Sequence, residues 1–224
     1  GKLERLAVTG KLANGVVHEI NNPLGIIRNY LRIVGNKMSF DDPTKEDFKI
    51  IEDEIERIVN ILKKLSDFSD VMRGEAVSTQ VNKVIEDLVS LIREQLESEH
   101  IEVELDLDGN LPEAMIFTDH LKQVFLNLVK NSREAMHHGG RLTIKTTVVN
   151  NEIHICISDT GEGISEKDIE KIFDPFYSTK PESGTGLGLA ISLNMIEKYG
   201  GIIRVESEKS KGSTFIIVLP LKQE

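Results

Sequence analysis

Five short runs in this 224-residue chain carry side chains whose types and spacing could do chemistry. His18 stands four residues before Asn22, so on a helix the two share one surface strip. A neutral imidazole has a free ring lone pair and can act as a nucleophile. Asn127 and Asn131 are also one helical turn apart, and amide oxygens so placed can face a hydrated divalent cation, with Lys130 adding charge. Asp159 ends an alternating segment and leads into Thr160-Gly161-Glu162-Gly163-Ile164, where a carboxylate can accept from an amino group and glycines admit close backbone approach. Phe173-Asp174-Pro175-Phe176-Tyr177-Ser178-Thr179-Lys180 puts aromatics in a polar loop, where they need a surface to dock on. Gly184-Thr185-Gly186-Leu187-Gly188-Leu189 opens a helix, and free N–H groups with the helix dipole favour an anion there. Taken singly, the first three runs have plain alternatives: a solvated histidine, surface asparagines, a tight turn.

The elements that must position these runs differ between the two halves. In residues 1–72, apolar or small residues recur at Leu3, Leu6, Gly10, Ala13, Val17, Ile20, Leu24, Ile27, Leu31 and Val34, then at Phe48, Ile51, Ile55, Ile58, Leu62, Leu65, Ser69 and Met72. Steps of three and four make a heptad seam on each of two helices, with turn chemistry between them at Asp41, Asp42 and Pro43. With Leu3 at heptad position a, His18 falls at b and Asn22 at f, both outside the seam. Asn21, Asn22 and Pro23 are poor helix residues in a row, and Pro23 removes the backbone bond to the Glu19 carbonyl, loosening the helix beside the histidine. A two-helix hairpin has one seam and cannot enclose a core, so two copies are expected to form a four-helix bundle. Residues 73–79 read as a linker around Gly74, and 80–224 as a second unit. There the pattern predicts helices over Val81–Glu97, Asp119–Met136 and Thr185–Tyr199. It predicts strands over Ile101–Leu107, Leu142–Val149, Ile153–Asp159, Ile202–Glu206 and Thr214–Leu219, with a turn at Asn150-Asn151. The fold class expected is an all-α hairpin followed by an α/β sandwich, helices against one mixed sheet.

The net charge of −10 gives no basic footprint for nucleic acid, and an acidic protein that binds a polyphosphate must supply local positive charge or a metal. One cysteine, Cys156, excludes an intramolecular disulfide or a multi-cysteine zinc site. No apolar run is long enough to span a bilayer and no signal peptide is visible, so a cytoplasmic chain, or the cytoplasmic part of a membrane-anchored one, is expected. The start at Gly1, inside a helical pattern, suggests a piece of something longer.

His18-Glu19-Ile20-Asn21-Asn22-Pro23-Leu24 resembles the H-box of sensor histidine kinases, and the four later runs resemble, in order, the N, G1, F and G2 boxes of their ATP-binding domain, a fold of the GHKL or Bergerat type. The resemblance covers nearly the whole chain. It implies that His18 attacks the ATP γ-phosphate, that Glu19 holds the other ring nitrogen and fixes the tautomer, and that Asn22 orients a water for dephosphorylating the partner. It further implies that Asn131 is the Mg²⁺ ligand, Asn127 supports the phosphates, Asp159 reads adenine, and Gly161 and Gly163 shape the base pocket. Lys130 and Lys180 would approach the phosphates. Gly184, Thr185, Gly186, Leu187 and Gly188 would flank them, and Phe173 and Phe176 would belong to a lid reaching to about Ser183. Gly212-Ser213-Thr214-Phe215 resembles a last small motif in which Ser213 reaches adenine through water. The partners implied are a second copy of the chain and the receiver domain of a response regulator. The alternatives are an ATPase of the gyrase, chaperone and mismatch-repair kind, or a dimeric scaffold with a decayed nucleotide site. Those ATPases resemble one another in a Glu four residues before the metal-binding Asn; here Asn127 stands there, and an amide cannot take a proton from water.

Overall fold

Residues 20–35 are helical (α1), and α2 follows over Lys45–Asp70. Their heptad steps explain what they bury. Leu24, Ile55 and Leu62 form a small core, with Leu31, Ile58 and Val59 packed against it. Leu24 and Leu31 are the a positions of the α1 seam. The d positions Ile20, Ile27 and Val34 stay exposed, together with Ile26, Tyr30 and Ile33. One hairpin thus covers half of its own seam.

The computed structural model describes residues 20–35, 44–70, 74–178 and 186–221, in a chain that divides into compact units 1–72 and 73–224. His18, Glu19, the seam from Leu3 to Val17, the turn at Met38–Pro43, Lys180, Gly184 and Thr185 lie outside the described residues.

The second unit runs β1 (Val77–Thr79), α3 (Val81–Ser98), β2 (Ile101–Leu107), β3 (Ala114–Ile116), α4 (Thr118–Ala135), β4 (Gly140–Val149), β5 (Glu152–Asp159), α5 (Glu166–Ile169), α6 (Gly188–Glu197), β6 (Ile202–Glu208) and β7 (Gly212–Pro220). Five strands form one mixed sheet in the order β2-β4-β5-β7-β6, with β2 parallel to β4 and the other neighbours antiparallel. Alternation along β5 buries Ile153, Ile155 and Ile157, in register with Leu219, Ile217 and Phe215 of β7. On α3 the steps of three and four bury Val81, Val84, Ile85, Leu88 and Val89. On α4 they bury Leu121, Val124, Phe125, Leu128 and Val129, and α4 packs against β5, β7, α3 and α6. Each such side chain contributes about 1.5–3 kcal/mol on leaving water. The β4–β5 turn has Asn150 and Asn151 both at positive φ, the backbone that a two-residue hairpin requires.

The sequence pattern does not reveal three elements. Val77–Thr79, inside the stretch expected as a linker, pairs as β1 with β3 in a separate two-stranded sheet. Thr79 is buried there, its hydroxyl bonded to the Ile116 carbonyl at 2.9 Å. The third is α5, one turn of helix between the Asp159 loop and the aromatic run.

Candidate functional site

Asp159 takes the next inward-facing position after Ile153, Ile155 and Ile157, so the apolar row of β5 ends in a buried carboxylate with 6 % exposure. Its Oδ1 accepts the Gly161 N–H at 2.9 Å and the Ser213 N–H at 3.3 Å, which fixes the group. Burial pushes its pKa above the usual carboxylate range, and the bonds from Gly161, Ser132 and Ser213 oppose that shift. Two glycines make the close packing possible. A Cβ on Gly212, at φ +96°, would lie 1.9 Å from the Asp159 carbonyl oxygen; one on Gly163, at φ +66°, would lie 2.1 Å from that of Glu208. The Asp159–Gly163 loop is also tied to the end of α4, because the Glu162 N–H donates to the Ala135 carbonyl at 3.1 Å.

Ser213 faces Asp159 across the paired ends of β5 and β7. Its backbone holds Asp159, while its hydroxyl lies 2.9 Å from Ser207 Oγ. Ser207 donates its one proton to the Gly212 carbonyl and accepts the Ile164 N–H. Ser213 is therefore the donor to Ser207 and has only lone pairs left for a ligand.

Asn127 and Asn131 sit one turn apart on α4. Asn127 Nδ2 donates to the Gly188 carbonyl at 3.0 Å and to Ser192 Oγ at 3.1 Å, so this amide braces the first turn of α6. Asn131 is half-buried, and no hydrogen bond or ion pair of its side chain occurs among the described residues. Lys130 points along the helix to Glu134, 3.6 Å away. No cluster of three or more His, Cys, Asp or Glu side chains that could hold a metal exists among the described residues. The donor set that remains is the free Asn131 amide. It suits Mg²⁺, which binds few protein ligands and keeps the rest of its shell from water and phosphate oxygens.

The aromatic run is anchored at one end. Asp168 on α5 accepts from Tyr177 Oη at 2.5 Å and from Ser165 Oγ at 2.6 Å; these two bonds, Ser165 first, hold its pKa below the ordinary value. The Phe176 N–H donates to the Gly186 carbonyl at 3.0 Å, which joins the run to the glycine segment before α6. Phe173 is half-buried, whereas Phe176 is 67 % exposed with φ +67°, a strained backbone for a bulky residue. Leu187 is buried and caps α6, whose first residue is Gly188.

The fold thus gathers residues far apart in sequence: Asp159, Gly161 and Ser213 at the paired ends of β5 and β7, and Asn127 with Gly188 where α4 meets α6. Asn22 lies exposed on α1, in the other unit. Two residues escaped notice in the sequence. Ser207 is found only through its contacts. Ser132 is 0 % exposed on α4, and a serine four residues after Leu128 on a buried face was a legible signal.

Residues 117–223 match the family described as histidine kinase-, DNA gyrase B-, and HSP90-like ATPase, and residues 9–74 match the His Kinase A (phospho-acceptor) domain. Sporulation kinase C of Bacillus subtilis (strain 168) is 37% identical over 226 residues, which cover 99% of this chain and 51% of that protein. The chain therefore spans about half the length of that relative, and 30% of sporulation kinase E. Among solved structures, the catalytic domain of histidine kinase ThkA is 31% identical with a TM-score of 0.60, covering 66% of this chain and 96% of that one. Histidine kinase ThkA in complex with the response regulator protein TrrA is 28% identical with a TM-score of 0.70, covering 99% and 64%.

Proposed function

This chain belongs to the sensor histidine kinases, and from that premise we propose that it is their dimerising and catalytic core: it uses ATP to phosphorylate its own His18, then passes the phosphoryl group to an aspartate of a response regulator. In this reading residues 1–72 are the dimerising and phosphotransfer hairpin, 73–79 the connection and 80–224 the nucleotide-binding unit. Asp159 accepts from the adenine amino group, and the first turn of α6 with Gly186 and Gly188 receives the phosphates. Lys130 and Lys180 add local positive charge in an otherwise acidic chain. Mg²⁺, when bound, screens phosphate charge, and Asn131 is the side chain that would hold it. The run from Phe173, with Phe176, folds over the nucleotide as far as Ser183. The His18 nitrogen forms a bond to the γ-phosphorus while the bond from phosphorus to the β–γ bridging oxygen breaks, and ADP leaves with that electron pair. Glu19 holds the other ring N–H. Catalysis is mainly positioning and charge neutralisation, as is general for phosphoryl transfer. The phosphoramidate then gives its phosphoryl group to the receiver carboxylate, and Asn22 orients a water that attacks the resulting aspartyl phosphate, releasing inorganic phosphate and the carboxylate in the opposing activity.

The observation that carries this reading is Asn127. A hydrolytic relative needs a general base at this position; here an amide donates its protons to Gly188 and Ser192 and cannot take one from water. The γ-phosphoryl group needs another acceptor. The exposed d row of α1, Ile20, Ile27 and Val34, supports a second copy of the hairpin as the homodimer partner. Asn131, Asp159 and the glycine run, all intact, favour a kinase over a scaffold with a decayed nucleotide site. Incubation with γ-labelled Mg·ATP tests this: label should accumulate on the protein faster than free phosphate appears. Release of phosphate with unlabelled protein would mean an ATPase, and no nucleotide binding would mean a scaffold.

A further inference from the structure

The first described residue after α2 is held by the second unit. Gly74 packs against the Phe117 ring and, at φ +86°, leaves no room there for a Cβ. Its carbonyl accepts from Lys198 Nζ at 2.9 Å. Phe117 is the N-cap of α4 and Lys198 the C-cap of α6, so one residue of the connection is gripped where the first helix begins and the second ends.

Two features keep that grip in shape. The Phe117 ring meets the His120 ring edge-on, with centroids 5.2 Å apart, and His120 Nδ1 lies 2.7 Å from Tyr199 Oη, which joins the start of α4 to the end of α6. Lys198 Nζ lies 5.6 Å from the centre of the Tyr199 ring, within the distance at which a cation is drawn to an aromatic face. Past Gly74 the chain is fastened again through β1, where Thr79 Oγ1 lies 3.0 Å from Thr118 Oγ1 in the first turn of α4. Neither fastening uses a residue assigned to the nucleotide.

The connection is therefore bound to the second unit from Gly74 onward. Residues 71–73 are the whole of the chain between Asp70, the end of α2, and the first held residue. Without the Lys198 bond and the Phe117 contact, the next held residue is Val77, paired with Ile116, and the tether grows to residues 71–76. Doubling the length of a tether lowers the effective concentration of one unit at the other by about threefold.

We infer that Lys198 is a positioning residue for transfer to His18: by latching Gly74 against Phe117, it shortens the tether on which the nucleotide is carried to the hairpin. The inference rests on the proposed function and adds to it the residue that sets the reach of the nucleotide-binding unit.

Two measurements on the 224-residue chain test it, with Lys198→Met, Gly74→Ala and Lys198→Arg. The first is the rate of cleavage after Glu75 by a glutamate-specific protease, which reads the latch without any nucleotide. Lys198→Met should be cut there about fivefold faster, because cleavage follows the population of the open form and one hydrogen bond is lost. Gly74→Ala, which cannot keep the close approach to Phe117, should be cut at least as fast. The second is labelling from γ-labelled Mg·ATP at saturating nucleotide. Both variants should label about threefold more slowly with unchanged ADP affinity, and Lys198→Arg, which keeps a cationic donor, should restore both rates. Unchanged cleavage removes the latch. Faster cleavage with an unchanged labelling rate removes the positioning role, and a parallel loss of ADP affinity overturns it by moving Lys198 into the nucleotide site. Faster cleavage in chains that take no label at all leaves the latch standing and overturns the kinase reading instead.

Discussion

At one end of the site Asp159 is buried, and Gly161, Ser213, Ser207 and Gly212 surround it in a closed set of hydrogen bonds and backbone contacts. At the other end Asn131 is half-buried with no side-chain partner among the described residues, and Phe176 is exposed with a strained backbone. The base end is held by the protein's own hydrogen bonds, whereas the phosphate end keeps an amide that no described side chain or backbone group pairs. Preorganised polar groups give specificity because a wrong ligand leaves them unpaired. Loosely held groups give a site that can close and reopen with each turnover. Under the proposed function, base selection is built into the sheet, and phosphate handling is left to a helix face and a loop.

The comparison can be broken at the base end first. Asp159→Asn keeps an oxygen for Gly161 and Ser213 but turns an N–H₂ toward the base amine. ADP affinity should fall on the order of 100-fold, about 2.7 kcal/mol, while the fold persists. Calorimetric affinity within a few-fold of the original would remove Asp159 from base recognition.

At the phosphate end Asn131→Ala should cut Mg·ATP-dependent labelling about 30-fold or more and leave metal-free ADP binding nearly unchanged. Parallel losses in both would show that the two ends are not separable.

Acid gives a finer test. Burial raises the Asp159 pKa, so it protonates at a higher pH than an ordinary carboxylate, and protonation removes the acceptor. ADP affinity should be full above that raised value and decline as pH falls through it, and the decline should be absent in Asp159→Asn. In the same unit burial, then Lys198, lowers the His120 pKa below its usual value of about 6.5, against an opposing effect of Asp119. Between the two values the unfolded chain binds more protons, so stability should be lost as pH falls from about 6.5 toward the folded value. ADP affinity must therefore be read at pH values where thermal melts still report the folded unit. The smallest effect is expected from Tyr177→Phe, which frees the aromatic run from Asp168. The KM for ATP should rise about threefold with base discrimination intact; a change in ADP versus GDP preference would join the two ends.

Much of the scaffold was legible because one physical rule dominated each segment. Alternation gave the strands around Ile153–Asp159, and the heptad steps gave the hairpin, since burial alone sets those periods. The two asparagines and Asp159 stood out because polar groups interrupt apolar patterns. What the pattern hid depends on long-range partners. Val77–Thr79 is a strand only because Ala114–Ile116 pairs with it. The Asn127 amide has its partner at Gly188, 61 residues away. Ser132 was passed over as one more small residue of the period, although a serine on the buried face of α4 is a polar interruption like the others.

The central claim is that the phosphoryl group goes to an imidazole on the helical unit. Mapping the labelled residue after incubation with γ-labelled Mg·ATP tests it most directly. The account predicts acid-labile, base-stable label on His18, abolished in His18→Ala while that variant still binds ADP. Label that persists at the original rate in His18→Ala, or that maps to another residue, contradicts it.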